Sequence, residues 1–225
     1  MAAVLLTGTT FGHEHVRMLP DDRATPLLYV ALGDSTVKGI GASRPQATYV
    51  ALLQARLQSI YPAARALNLG VGGATSADVV TRQLARATAV RPHLVTISIG
   101  PNDITQGVTV AEYERNVDSI LATLTKETSA VVVVNLLPDL ALTPRFAHSP
   151  KREAVAALAE RLNDVLQRKA SAYGIEAVDV HSASRREVPE RPWLISEDGY
   201  HPSDAGYALW AELMWQGVAA RLPGR

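Results

Sequence analysis

Five short apolar runs, each separated from the next by a stretch of helical periodicity, constrain this chain more than any other feature of its sequence. The runs are Leu27–Leu32, Ala66–Leu69, Leu94–Ile99, Ala130–Leu136 and Ile175–Val180. A strand with one wet face alternates apolar and polar residues; unbroken runs of this length suit strands covered on both faces, as in a parallel sheet. Five apolar stripes at helical spacing accompany them. They run through Tyr49, Leu52, Leu53, Leu57 and Ile60; through Val79, Val80, Leu84 and Ala87; and through Tyr113, Val117, Ile120, Leu121 and Leu124. Two more use Val155, Leu158, Leu162, Val165 and Leu166, then Tyr207, Trp210, Leu213 and Met214. Each stripe reads as a helix face packed on a core. Strand and helix in regular alternation predict a doubly wound α/β sandwich. No repeat, low-complexity tract or linker divides the chain, so residues 27–225 read as a single domain. Residues 1–26, with Pro20, Asp21, Asp22 and Pro26, read as an irregular N-terminal arm.

Composition removes several classes of function. Lys and Arg together number 22, as do Asp and Glu, so no excess charge draws the protein to nucleic acid or to an anionic membrane. The adjacent pair Arg185 and Arg186 reads as a solvated turn. Cysteine is absent, which excludes disulfides, thiolate zinc sites and cysteine nucleophiles. The opening MAAVLLTGTTFGHEH has an apolar run without a preceding Lys or Arg and without a clear cleavage site. It makes a poor signal peptide and is too short to span a bilayer. The expectation is a soluble protein with no integral membrane segment, the cytoplasm slightly favoured; the sequence sets no oligomeric state.

In open parallel sheets, ligands bind beyond the carboxyl ends of the strands. That rule selects Gly33-Asp34-Ser35-Thr36, Asn68-Leu69-Gly70-Val71-Gly72-Gly73 and Gly100-Pro101-Asn102-Asp103. A hydroxyl nucleophile needs a base within hydrogen-bond reach, and the base needs an orienting carboxylate. Asp198-Gly199-Tyr200-His201-Pro202 offers both. In a turn, this spacing lets the Asp198 carboxylate reach Nδ1 of His201 while Nε2 faces outward. Ser203 and Asp204 read as the N-cap of the last helix, which would hold that turn. Acyl transfer also needs donors for a developing oxyanion, and the backbone N–H groups of Ser35 and Gly73 and the amide of Asn102 are candidates. Each piece alone has a plainer reading. Gly-Asp-Ser is commonly a turn; Asn102 or Asp103 is a natural helix cap; an Asp-X-X-His pair is a surface contact or a fragment of a metal site. No metal site is expected, because no second His or carboxylate cluster lies at ligand spacing. His13, His15, His93, His148 and His181 are scattered and read as structural or solvated.

Taken together and in order, these segments resemble the GDSL, or SGNH, hydrolase family, from about Tyr29 to the final helix. The block Val30-Ala31-Leu32-Gly33-Asp34-Ser35 implies Ser35 as nucleophile and first oxyanion donor. Asn68–Thr75 implies Gly73 as the oxyanion glycine, and Ile99-Gly100-Pro101-Asn102-Asp103 implies Asn102 as the side-chain donor. Asp198 and His201 complete the implied triad. Two positions depart from the family pattern: Thr36 replaces the usual leucine, and Ala74 replaces an aspartate, which leaves Gly72 as an alternative to Gly73. The resemblance implies a three-layer, flavodoxin-like fold with a five-stranded parallel sheet and no cofactor. It also implies a serine ester hydrolase, carboxylesterase- or lipase-like, that cleaves a small-molecule ester through an acyl-enzyme. It does not separate carboxylesters, lysophospholipids, thioesters and sugar acetates. The Gly-X-Ser-X-Gly elbow of α/β-hydrolases is absent.

Two loops are expected to border the cleft: 138–150, whose Leu140, Leu142 and Phe146 offer apolar contact to an acyl chain, and 182–195 with Trp193. Two rival readings compete. Ser35, Thr36, Gly39 and Gly41 form a phosphate cradle for FMN, or the fold is a catalytically silent scaffold. The first leaves Asn102, Asp198 and His201 without a role, and the second gives no reason to keep all five reacting groups.

Overall fold

The computed structural model describes residues 16–224; the first fifteen residues, with His13, His15 and the opening apolar run, and Arg225 lie outside the described residues. Five strands, β1 (Leu28–Gly33), β2 (Arg65–Asn68), β3 (Leu94–Ser98), β4 (Val131–Asn135) and β5 (Glu176–Val178), form one sheet in the order β2-β1-β3-β4-β5. Every pairing is parallel. The helices are α1 (Ser35–Lys38), α2 (Tyr49–Gln58), α3 (Ser76–Asp78), α4 (Leu84–Ala89), α5 (Pro101–Gln106), α6 (Val110–Glu127), α7 (Pro144–Ala147), α8 (Arg152–Ala172), α9 (Val180–Glu190) and α10 (Asp204–Ala219). Side-chain alternation along the central strands divides the interior into two cores. Val30 and Leu32 of β1 and Val132 and Val134 of β4 meet α4, α6 and α8 on one face. Tyr29, Ala31, Val131 and Val133 meet α2 and α10 on the other. The result is the three-layer α/β sandwich expected, and all five expected stripes supply its helix faces.

This strand order fixes where a ligand binds. From β1 the chain steps to β2 on one side and then crosses to β3 on the other, so the connections diverge beyond the carboxyl ends of β1 and β3. Gly33 stands opposite Ser98 at that place.

Three details differ from the sequence reading. β5 stops at Val178, because the Asp179 carboxylate accepts the N–H of Ser182 and caps α9, so Val180 opens a helix. Arg185 and Arg186 therefore lie on the exposed side of α9 and not in a turn. β2 is an edge strand, and its Ala66 and Leu67 are only half-buried, so it is not covered on both faces. In the arm, residues 16–26 form no helix or strand; Leu19 is buried, and its N–H donates to the carbonyl of Arg221 at 2.8 Å. No helix among the described residues is long and apolar enough to cross a membrane.

Candidate active site

Ser35 is held by the end of a buried strand. Gly33 has φ +143, and a Cβ there would lie 1.9 Å from the carbonyl oxygen of Ser98, so only glycine lets β1 turn this close to β3. The buried amide of Gln83 brackets the same residue: the Gly33 N–H donates to Oε1 at 2.9 Å, and Nε2 donates to the Gly33 carbonyl at 2.8 Å. A π-helical turn, Val79–Gln83, joins α3 to α4 and ends on this glutamine. Asp34 then caps α1, its Oδ1 accepting the Thr36 N–H at 2.9 Å, and Gly39 ends the helix in the left-handed conformation. Ser35 is thus the first residue of a one-turn helix, where a backbone N–H has no carbonyl four residues back to bond. Asp34 is fully buried and its Oδ2 has no partner among the described residues. Burial pushes its carboxyl up to about 7; the bonds from Thr36 oppose the shift and the nearby Asp103 adds to it.

The Asp198–His201 turn is built differently. Oδ1 of Asp198 accepts three bonds from its own turn: the Ser196 hydroxyl at 2.8 Å, the Tyr200 N–H at 2.8 Å and the His201 N–H at 2.9 Å. Oδ2 lies 2.6 Å from Nδ1 of His201, and Nε2 of that ring lies 2.9 Å from Oγ of Ser35. Partial burial alone would raise the Asp198 pKa, but the His201, Tyr200 and Ser196 bonds outweigh it and hold the carboxyl well below the usual range.

Contacts with the segment after α1 bring the two halves together across 166 positions of sequence. Ser203 caps α10, accepting the Gly206 N–H at 3.3 Å, and the carboxylate of Asp204 accepts the Ser43 N–H at 2.7 Å. Tyr207 donates its hydroxyl to the carbonyl of Ile40 at 2.6 Å. A Cβ at Gly41 would lie 2.6 Å from the Pro202 carbonyl oxygen and 2.9 Å from Cβ of His201. The glycines that suggested a phosphate cradle are used by the chain itself, Gly39 to end α1 and Gly41 to admit the His201 turn.

The two remaining candidates, Gly73 and Asn102, are fastened to each other's loops. Asn102 Nδ2 donates to the Ala74 carbonyl at 3.0 Å; one helical turn on, Gln106 Nε2 donates to the Gly73 carbonyl at 2.8 Å. Neither Asn102 nor Asp103 is the cap of α5, a place taken by Gly100. The buried Asp103 accepts the Ser76 N–H at 3.0 Å and also the Ser76 hydroxyl, which in turn accepts from Asn116 at 2.9 Å. Burial raises the Asp103 pKa against the pull of those Ser76 bonds. Of the other histidines, His93 Nδ1 accepts the Leu28 N–H at 3.0 Å, His181 Nδ1 lies 3.1 Å from the Leu137 carbonyl oxygen, and His148 is exposed.

Beside Ser35 and His201 lies a narrow cavity of about 70 Å³. Of the apolar residues expected at the cleft, Leu140 lines it. Trp193 is 60% exposed and outside it, and Phe146 packs edge-on against Tyr200 with ring centres 6.1 Å apart. Sequence reasoning missed Gln83 and Gln106. Gln83 did leave a signal, an amide standing four positions after Val79 in an otherwise apolar stripe; Gln106 left a weaker one, four positions after Asn102.

The chain is similar to known proteins over most of its length. The profile of the GDSL-like Lipase/Acylhydrolase family matches residues 31–209. Esterase TesA of Pseudomonas aeruginosa is 28% identical over 215 residues, 96% of each chain. Acetylxylan esterase of Geobacillus stearothermophilus is 26% identical over 202 residues, 80% of this chain and 88% of its own. Among solved structures, the lipase/acylhydrolase from Enterococcus faecalis superposes with a TM-score of 0.72 at 21% identity, covering 88% of this chain and 98% of the other. An α/β hydrolase enzyme, LAE5, from the metagenome of Lake Arreo gives 0.70 at 25% identity, covering 86% and 95%. The family match runs from β1 into the last helix and covers most of the sequence: the chain belongs to the GDSL-like lipase/acylhydrolase family.

Proposed function

We propose that this esterase cleaves acyl esters by a Ser-His-Asp mechanism, with Ser35 as nucleophile, His201 as general base and acid, and Asp198 as orienting carboxylate. The observation that carries the reading is the unbroken relay from Asp198 Oδ2 to His201 Nδ1, at 2.6 Å, and from His201 Nε2 to Ser35 Oγ, at 2.9 Å. A carboxylate on Nδ1 selects the tautomer with its proton there, leaving the Nε2 lone pair for the serine. Ser35 Oγ bonds to the ester carbonyl carbon as its proton passes to His201 Nε2. The negative charge that develops on the carbonyl oxygen is met by the N–H groups of Ser35 and Gly73 and by the Asn102 amide. An amide has two N–H bonds; Asn102 uses one on Ala74, which aims the other. The C–O bond to the alcohol then breaks, and His201 returns the proton to the departing oxygen. Water repeats the sequence on the acyl-enzyme, releasing the acid and free Ser35.

Gly73 is preferred to Gly72 because its own carbonyl is held by Gln106, next to the residue that orients Asn102. Residues 27–225 act as one catalytic domain in this reading, since the nucleophile follows the first strand and the base precedes the last helix. The ester relatives support the reaction class, and a small-molecule ester is the substrate inferred. Hydrolysis of p-nitrophenyl butyrate by the protein and by Ser35→Ala tests it: the variant is expected to lose about 10⁴–10⁶ in kcat. Equal turnover in the variant would sink Ser35 as nucleophile.

A further inference from the structure

The cavity beside Ser35 is longer and more apolar than an acetyl group requires. It starts at Ser35, Thr36 and His201 and passes between α9 and α10, where Val180, Ala183 and Val188 face Leu209 and Leu213. The lining stretch of α10, Gly206 to Leu213, advances about 10 Å along the helix. One water-sized occupant takes roughly 10–15 Å³ of such volume. At about 70 Å³ the space has room for more than an acetyl methyl group.

Several polar groups on its wall are already engaged, while Tyr200 Oη and Trp210 Nε1, also of lining residues, are buried without a partner among the described residues. The Ser184 hydroxyl accepts the Asp139 N–H at 2.9 Å and donates to the His181 carbonyl at 2.7 Å, while Asp139 Oδ1 accepts the Ala141 N–H at 3.1 Å. A ligand there meets mostly hydrocarbon. On the other side of the site, Val71, Gly72 and Gly73 are exposed, which leaves open space for an alcohol of any bulk.

Resting on the serine-esterase reading above, we infer that this cavity is the acyl pocket and that the preferred substrates carry a straight acyl chain of medium length. Val188 and Leu213 set its length. Both are half-buried, so their replacement does not open the core.

The test is kcat/KM for p-nitrophenyl esters from acetate to laurate, beside an acetate series in which only the alcohol changes. The expected profile rises about threefold per methylene up to hexanoate and falls beyond octanoate, while the alcohol series stays within a few-fold. Val188→Phe shortens the pocket and lowers the hexanoate-to-acetate ratio at least tenfold; Leu213→Ala moves the decline to longer chains. Thermal melting of each variant confirms that it is folded. A flat acyl profile in an active enzyme, a ratio unmoved in both folded variants, or dependence on the alcohol alone overturns the pocket assignment. Inactivity of the unaltered protein on every ester overturns the underlying esterase reading with it.

Discussion

The two halves of the site are built on opposite plans. The nucleophile corner belongs to the core: Gly33 is pressed against β3, bracketed by Gln83 from fifty positions away, and followed by a fully buried Asp34. The acid–base half is local: Asp198 takes three bonds from residues within three positions of itself, and its side chain remains well exposed. Serine must be immobile where the strand delivers it, and that requires distant partners. The imidazole needs only a turn that holds its own carboxylate, provided α10 and Gly41 press the turn onto the corner. Damage to the first half should therefore appear as lost stability and damage to the second as lost turnover.

The largest effects lie in the relay. His201→Ala is expected to reduce kcat by about 10⁴–10⁶ and Asp198→Asn by about 10⁴, with melting temperatures within a few degrees of the parent. A strongly destabilised Asp198→Asn would break the contrast by showing that the turn is needed for folding. Asn102→Ala removes one proposed oxyanion donor and is expected to lower kcat about 10²–10³ with KM little changed; steady-state kinetics on a butyrate ester checks both. Gln83→Leu is the converse case. It leaves the N–H of Gly33 buried without its partner, while the carbonyl keeps the Val71 N–H at 3.1 Å, and urea unfolding should show a loss of about 1–3 kcal/mol. No loss there would mean that the corner is held by the sheet alone.

The mildest perturbation changes only pH. The folded protein keeps the Asp34 proton up to about 7, whereas the unfolded chain releases it near 3.8. Between those values the unfolded state binds fewer protons, so this group's contribution to stability falls as pH rises and levels off above about 7. Asp34→Asn should flatten that slope. Asp198 has the opposite sign: its carboxyl is held low when folded, so its contribution is present above 3.8 and disappears as pH falls below that value. Urea titrations from pH 3 to 8 on the parent and both Asn variants separate the two slopes.

The same contrast explains what the sequence revealed. The Asp198–His201 turn was legible because its chemistry lies within five consecutive residues, and β1, β3 and β4 were legible because burial on both faces writes an unbroken apolar run. β5 was read two residues too long because Val180 looks the same in a strand as at a helix start; what decides is Asp179, whose capping bond depends on a backbone already turned. Both segments expected at the cleft, 138–150 and 182–195, do line the cavity, but apart from Leu140 through other residues than those singled out. Trp193 and Phe146 are the conspicuous apolar residues of their loops, yet the cavity is lined by modest ones, Ala183, Val188 and Leu213, whose convergence depends on how α9 meets α10. Gln83, Ser76 and Asp103 act across distances that no local pattern records.

Covalent capture reports whether Ser35 is a nucleophile activated by His201. The protein is treated with a fluorophosphonate, its intact mass is followed over time, and the adduct is mapped by peptide sequencing. A single adduct on Ser35 is expected, formed at least about 10³-fold more slowly in His201→Ala and absent from Ser35→Ala. Equal labelling of Ser35→Ala, or an adduct on another residue, would contradict it.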